Sequence, residues 1–172
     1  YGASWDPTGK NILYTAITAR GTRVFIQGFR PLRVKSVEVF FDEGTGSAAE
    51  WGSTGRVFIS KYVNRSNTDI YEYYLDGEKI YGMPTPKLRE SDRITKNSAI
   101  ETEPALSPDG RYLALISDRT GSPQVYVRDM QRKKLTRITE NGNYNVSPSW
   151  SPDGKFIAYA SRRSGVSSCL LY

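Results

Sequence analysis

The sequence predicts an all-β fold, a β-propeller assembled from four-stranded blades, and three observations carry that prediction. The tetrapeptide Ser-Pro-Asp-Gly occurs at 107–110 and again at 151–154. Each copy lies in the same frame: Glu103 to Ser117 reads E-P-A-L-S-P-D-G-R-Y-L-A-L-I-S, and Ser147 to Ser161 reads S-P-S-W-S-P-D-G-K-F-I-A-Y-A-S. Variants of the turn end in Gly9 and Gly55, so the four turn glycines are spaced by 46, 55 and 44 residues. Between the turns lie short β-rich stretches with no useful helical periodicity. Four such stretches in about 44 residues is the period of a propeller blade.

Ser-Pro-Asp-Gly has a physical job. Pro has its φ already set for the second position of a type I turn, Asp suits the third, and Gly takes the left-handed position that follows. Such a turn joins two antiparallel strands through a bulge. The motif is therefore read as a hairpin and not as an active-site loop.

Taken in order, the first unit opens with Trp5-Asp6-Pro7-Thr8-Gly9, a variant of the turn, then the strands Ile12-Leu13-Tyr14, Val24-Phe25-Ile26 and Val37-Glu38-Val39-Phe40. The second turn, Trp51-Gly52-Ser53-Thr54-Gly55, keeps Trp and the last Gly and has lost Pro and Asp. Val57-Phe58-Ile59, Asp69-Ile70-Tyr71 and Arg93-Ile94-Thr95 supply its strands. The extra length of this unit falls at Gly77 to Pro86, punctuated by Gly and Pro, and reads as a lengthened outer hairpin. The third unit has Leu113-Ala114-Leu115, Val125-Tyr126-Val127 and Arg137-Ile138-Thr139. The fourth has Ile157-Ala158-Tyr159 and runs to Tyr172. The blade units are then approximately 1–46, 47–101, 102–145 and 146–172. Strands such as Tyr112-Leu113-Ala114-Leu115-Ile116 are apolar on both faces, as blades stacked face to face require.

The chain has 172 residues, 24 Lys and Arg against 18 Asp and Glu, and a formal charge of +6. That basicity is mild. Its densest run, Arg128 to Arg137, lies between two predicted strands and reads as a solvated hairpin tip. No aromatic residue sits in it to stack on bases, so no nucleic-acid partner is expected. Cys169 is the only cysteine and there is no histidine. Histidine-based triads, general bases and metal sites are thereby excluded. No apolar run approaches the ~18 residues of a membrane helix, so no direct membrane insertion is expected.

Other chemical motifs are weak. Gly44-Thr45-Gly46-Ser47-Ala48-Ala49 fits a dinucleotide-binding pattern, but a turn of the repeat follows it where a helix is needed. Asp42, Glu43, Asp109 and Asp153 have no partner acid at catalytic spacing. The arginines of Ser117-Asp118-Arg119 and Ser161-Arg162-Arg163 recur at the next turn and read as blade-to-blade hydrogen bonds or ion pairs. Asn64-Arg65-Ser66 and Asn145-Val146-Ser147 fit glycosylation sequons. No catalytic residue and no cofactor is assigned.

Three complete units and half a fourth cannot close a ring of the usual ~4–8 blades. An open stack leaves strand edges exposed. The expectation is that these residues form part of a larger propeller or close by self-association. The start at Tyr1, without an initiator Met, agrees with a processed or excised piece.

The repeat resembles the propeller of the TolB family of the Tol–Pal system. That family's unit reads approximately P-x-W-S-P-D-G-x-x-I-A-[FY]-x-S-x-R-x-G, then I-Y-V, then a strand ending in L-T or I-T. Pro148 to Gly165 follow it closely, as do Pro104 to Gly121 with Leu106 for Trp; Val125-Tyr126-Val127 and Arg137-Ile138-Thr139 continue the match. The resemblance implies a six-bladed propeller behind an N-terminal α/β domain, which this sequence lacks. It implies a non-catalytic, periplasmic protein that binds the lipoprotein Pal and contacts other Tol proteins. The implied roles are outer-membrane integrity, cell division and protein transport. Residues just before the Pro of each innermost strand would line the channel mouth where Pal docks: Tyr1 and Gly2, Ala48, Thr102 and Glu103, and Val146 and Ser147, with Asn143, Tyr144 and Asn145 slightly upstream. Two alternatives stay open. One is the propeller of a prolyl-oligopeptidase-like serine peptidase whose catalytic domain lies outside these residues. The other is a different TolB-like sensor or surface propeller.

Overall fold

The computed structural model describes residues 2–28, 36–40, 45–52, 55–64, 66–76, 87–163 and 165–172. Tyr1, Asp42, Glu43, Gly44 and the predicted long hairpin at 77–86 lie outside the described residues.

Fifteen strands and no helix make up the described residues. The first sheet is β1 (Ala3–Trp5), β2 (Asn11–Thr18), β3 (Gly21–Gly28) and β4 (Ser36–Phe40). The second is β5 (Thr45–Trp51), β6 (Arg56–Asn64), β7 (Asn67–Asp76) and β8 (Lys87–Arg93). The third is β9 (Glu101–Leu106), β10 (Tyr112–Ser117), β11 (Gln124–Asp129) and β12 (Lys134–Arg137). The fourth has three strands, β13 (Tyr144–Trp150), β14 (Ile157–Arg163) and β15 (Val166–Leu171). In each sheet the strands lie side by side in chain order, every pair antiparallel. Thr45–Trp51 is a strand, so the glycine pattern at its start cannot place a pyrophosphate on a helix N-terminus.

The sheets stack face to face, and the core lies between them. Leu13, Val24 and Ile26 of the first sheet pack on Trp51, Val57, Ile59 and Tyr73 of the second. Phe58 and Ile70, on the opposite face of the second sheet, join Leu106, Leu113, Leu115 and Tyr126 of the third. Ala114 and Val125 face Ile157 of the fourth. The alternation of Phe58 against Val57 and Ile59, and of Ala114 against Leu113 and Leu115, is the period-2 pleat of a strand buried on both sides. The fourth sheet packs on the third, and the four form an open arc.

The turn chemistry matches the sequence reading. Gly110 N–H donates to Ser107 O at 2.8 Å and Gly154 N–H to Ser151 O at 2.9 Å, with φ of 72° and 70° at the glycines. Ser107 Oγ accepts from Tyr112 N–H at 2.8 Å, and Asp109 Oδ1 accepts from Arg111 N–H at 3.0 Å. The first turn replaces that Ser by Asp6, whose carboxylate accepts from Lys10 N, Asn11 N, Asn11 Nδ2 and Thr8 Oγ1. The second turn has Gly52 in that place, where any side chain would require Leu106 to move. A Cβ there would lie 2.4 Å from Leu106 Cδ2 of the next sheet.

Two details depart from the sequence reading. Ile94-Thr95 and Ile138-Thr139 sit just beyond the last strands, and do not end them. Ile138 N–H still reaches Val125 O at 3.0 Å, but Thr139 Oγ1 replaces the ladder and accepts from Val125 N–H at 3.2 Å. Thr95 Oγ1 does the same for Ile70 N–H at 2.9 Å. In addition, the basic run is not all hairpin tip: Arg128 lies within β11, its Nε buried.

Candidate functional site

The inner ends of the sheets carry a repeated irregularity. Pro104 and Pro148 have no N–H to give to the ladder, so a bulge at each is the physical outcome. In β9 the three-residue step from Thr102 to Ala105 stands against the two-residue step from Ile116 to Ala114. In β13 the step from Val146 to Ser149 stands against Ala160 to Ala158. A larger shift falls between Thr45 and Ala49 of β5. Glu103 (φ 49°) and Ser147 (φ 56°) occupy the left-handed region at these bulges. Neither is glycine, so each carries local strain, held by the sheet around it.

Successive bulges are tied together. Ser147 N–H donates to Glu103 Oε2 at 2.8 Å, from one sheet to the next. Ser147 is exposed, as are Asn143 and Tyr144, the latter at 48%. Val146, Thr102, Glu103 and Gly2 are partly buried. Thr102 Oγ1 is buried and has no hydrogen-bond partner. Asn143 and Tyr144 border a cavity of about 350 Å³ together with Arg162 and Gly165. Ala48 lies within β5 beside its bulge.

Asn145 has a different place. It is fully buried, and its Nδ2 donates to Gln124 Oε1 at 2.8 Å and to Asn141 O at 3.0 Å. Its side chain joins the third and fourth sheets and offers nothing to a partner. Glu101 holds the corresponding position three residues before Pro104 and is also fully buried. Its carboxylate accepts from Ser117 Oγ at 3.2 Å and is ion-paired with Arg119. Arg119 of Ser117-Asp118-Arg119 thus makes its ion pair within one sheet, not between blades as the sequence reading expects. A further pair, Arg93 with the fully buried Asp69, has Nε donating to Oδ2 at 2.8 Å. Sequence reasoning missed Glu101 and Asp69. The available signal was their alignment with Asn145 and Gln124 in the next repeat.

The fold and the repeated bulges can be set beside known proteins. The family model for the TolB beta propeller domain matches residues 2–171. The chain belongs to the TolB β-propeller family. It is 32% identical over 125 residues to the protein TolB homolog of Chlorobium luteolum, covering 73% of this chain and 25% of that protein. Over 34 residues it is 53% identical to the Tol-Pal system protein TolB of Bordetella pertussis, which covers 20% of this chain and 8% of that one. The TolB structure from Acinetobacter baumannii superposes with a TM-score of 0.80 at 25% identity, over 99% of this chain and 40% of that one. A puromycin-hydrolyzing peptidase from Mycobacterium tuberculosis superposes over 98% of this chain and 26% of its own, with a TM-score of 0.70 and 15% identity; that likeness is one of fold. The chain thus spans about a quarter of the curated TolB homolog and two-fifths of the solved TolB. Residues 2–171 are a TolB-type propeller segment, an open set of blades.

Proposed function

We propose that these residues belong to a non-catalytic, periplasmic protein-binding propeller of the Tol–Pal system. Its task is to dock the lipoprotein Pal at the inner, bulged ends of the blades, in support of outer-membrane integrity and cell division. One observation carries the reading. Glu103 and Ser147 are strained at equivalent bulges of neighbouring blades, beside exposed polar groups at Asn143, Tyr144 and Ser147. Strain of this kind persists where a surface is preorganised for binding. The Tol–Pal name carried by the Bordetella relative supports the choice of partner.

The test is capture of Pal by the full-length protein. Wild type is expected to bind. Ser147→Arg, which places a long cation at the exposed bulge, is expected to weaken binding at least tenfold without lowering the melting temperature. Failure of the wild type to bind would reject the reading.

The likeness to the Mycobacterium peptidase favours a second reading, the propeller of a prolyl-oligopeptidase-like enzyme. This chain has no histidine for such chemistry, so a separate hydrolase domain would have to supply it. Release of p-nitroaniline from an aminoacyl anilide by the full-length protein would favour that reading over the first.

A further inference from the structure

The groove between the second and third sheets gathers positive charge. A cavity of about 410 Å³ there is lined by Arg93, Lys96, Arg119, Arg128 and Lys133, with Asp92 as the one carboxylate among the described residues of its lining. Arg93 and Arg119 are already matched by the buried Asp69 and Glu101. The side chains of Lys96, Arg128 and Lys133 make no hydrogen bond or ion pair among the described residues, and they face a single exposed acid among those residues.

Arg128 is the informative member. Its neighbours across the sheet are Leu113 and Leu135, so its stem lies along apolar surface on the face turned toward the second sheet. Its Nε is buried without a partner. A guanidinium N–H removed from water and left unpaired is costly. The surrounding cations raise that cost by repulsion. A bound oxyanion on the accessible part of the guanidinium would remove the repulsion. A planar guanidinium fork suits two oxygens of a phosphate, and lysine ammoniums suit its remaining charge. The cavity exceeds the volume of a bare phosphate, and Asn97 in its lining favours a polar body.

We propose that this groove binds the phosphate group of a small polar phosphate ester, with Arg128 as the central ligand and Lys96 and Lys133 flanking it. The site is separate from the inner bulges and does not depend on Pal docking.

Calorimetric titration of the full-length protein with glucose 6-phosphate and with inorganic phosphate tests it. Both are expected to bind, the ester more tightly. The double variant Arg128→Gln, Lys133→Gln should lose at least tenfold in affinity with an unchanged melting temperature. Arg132→Gln with Lys155→Gln, in the groove between the third and fourth sheets, should leave affinity unaltered. No binding by the wild type at millimolar ligand, or equal losses in both double variants, would overturn the proposal. Flotation with phosphatidylglycerol and phosphatidylcholine vesicles distinguishes the phosphate source. Capture on phosphatidylglycerol alone, abolished by Arg128→Gln with Lys133→Gln, would assign the site to a lipid headgroup in place of a soluble ester.

Discussion

Two neighbouring seams in this molecule solve one structural problem with different chemistry. At the seam between the third and fourth sheets, Gln124 starts β11 and Asn145 lies near the start of β13. Both are buried and neutral, and the amide of one donates directly to the other at 2.8 Å. At the seam between the second and third sheets, the same repeat positions hold Asp69 and Glu101. Two carboxylates cannot donate to each other. Each instead recruits an arginine from its own sheet, Arg93 and Arg119. The amide seam is joined across sheets, whereas each carboxylate of the charged seam pairs with an arginine of its own sheet, and Glu101 Oε2 stays buried with no hydrogen-bond partner among the described residues. A buried ion pair gains little over an apolar or neutral alternative, yet breaking one is expensive. The charged seam is therefore the more fragile, and it accumulates the cations that line its groove.

The difference can be broken at its strongest point first. Arg119→Met leaves the carboxylate of Glu101, 0% exposed, with only Ser117 as a donor. A loss of about 3–4 kcal/mol is expected in urea denaturation of the full-length protein. A loss below about 1 kcal/mol would mean that the ion pair is not needed at the seam.

The seam between the first and second sheets supplies a third case, a carboxyl with no arginine. Burial pushes Glu50 up to about 7, while its hydrogen bond with Ser4 opposes the rise. A carboxyl raised in the folded state adds stability that is fully present below its unfolded value, near 4.3, and is lost as pH climbs to about 7. About 3 kcal/mol should disappear across that window. Glu50→Gln is expected to flatten the dependence and to be the more stable form at pH 7.5. An unchanged slope in the variant would show that Glu50 is not its source.

The comparison sharpens in a double exchange. Asp69→Gln combined with Glu101→Asn rebuilds the amide pairing in the charged seam. The double variant should cost at least about 1 kcal/mol less than the sum of the single changes. Strict additivity would mean that the seams are not interchangeable. Asn145→Ala should cost only about 1 kcal/mol, because Thr139 Oγ1 still donates to Gln124 Oε1 at 2.7 Å. The smallest effect belongs to the turns. Hydrogen bonds from Ser107 and the Arg111 N–H hold the carboxyl of Asp109 below its usual range, and Ser151 and the Lys155 N–H do so for Asp153. Their contribution is present above about pH 3.9 and is lost as pH falls below it. Asp109→Asn with Asp153→Asn should soften the acid limb of the stability profile.

The repeat made the sheets legible. Ser-Pro-Asp-Gly has one backbone solution, and the strands after it are apolar on both faces because both faces are covered. The second turn shows why a degenerate copy can keep the hydrogen bonds of its two glycines. Gly52 N–H still donates to Arg56 O at 2.7 Å and Gly55 N–H to Gly52 O at 3.0 Å, since the left-handed glycine and the ladder need no proline. The polar seam was less legible. Asn145 looks like a loop residue from sequence, because burial of an amide depends on a partner 21 residues away. The Arg119–Glu101 pair was hidden because a strand bulge sets which side chains meet. The bulges themselves were foreshadowed by Pro104 and Pro148, but the left-handed backbone at Glu103 and Ser147 is a consequence of closing them.

The central claim is that the bulged inner ends, and not the seams, form the docking surface. Titration of full-length protein with Pal compares Ser147→Arg with Asn145→Ala, two positions two residues apart in one strand. The account predicts at least a tenfold loss of affinity for Ser147→Arg and less than a twofold change for Asn145→Ala. Equal losses in the two variants, or no loss in either, would contradict it.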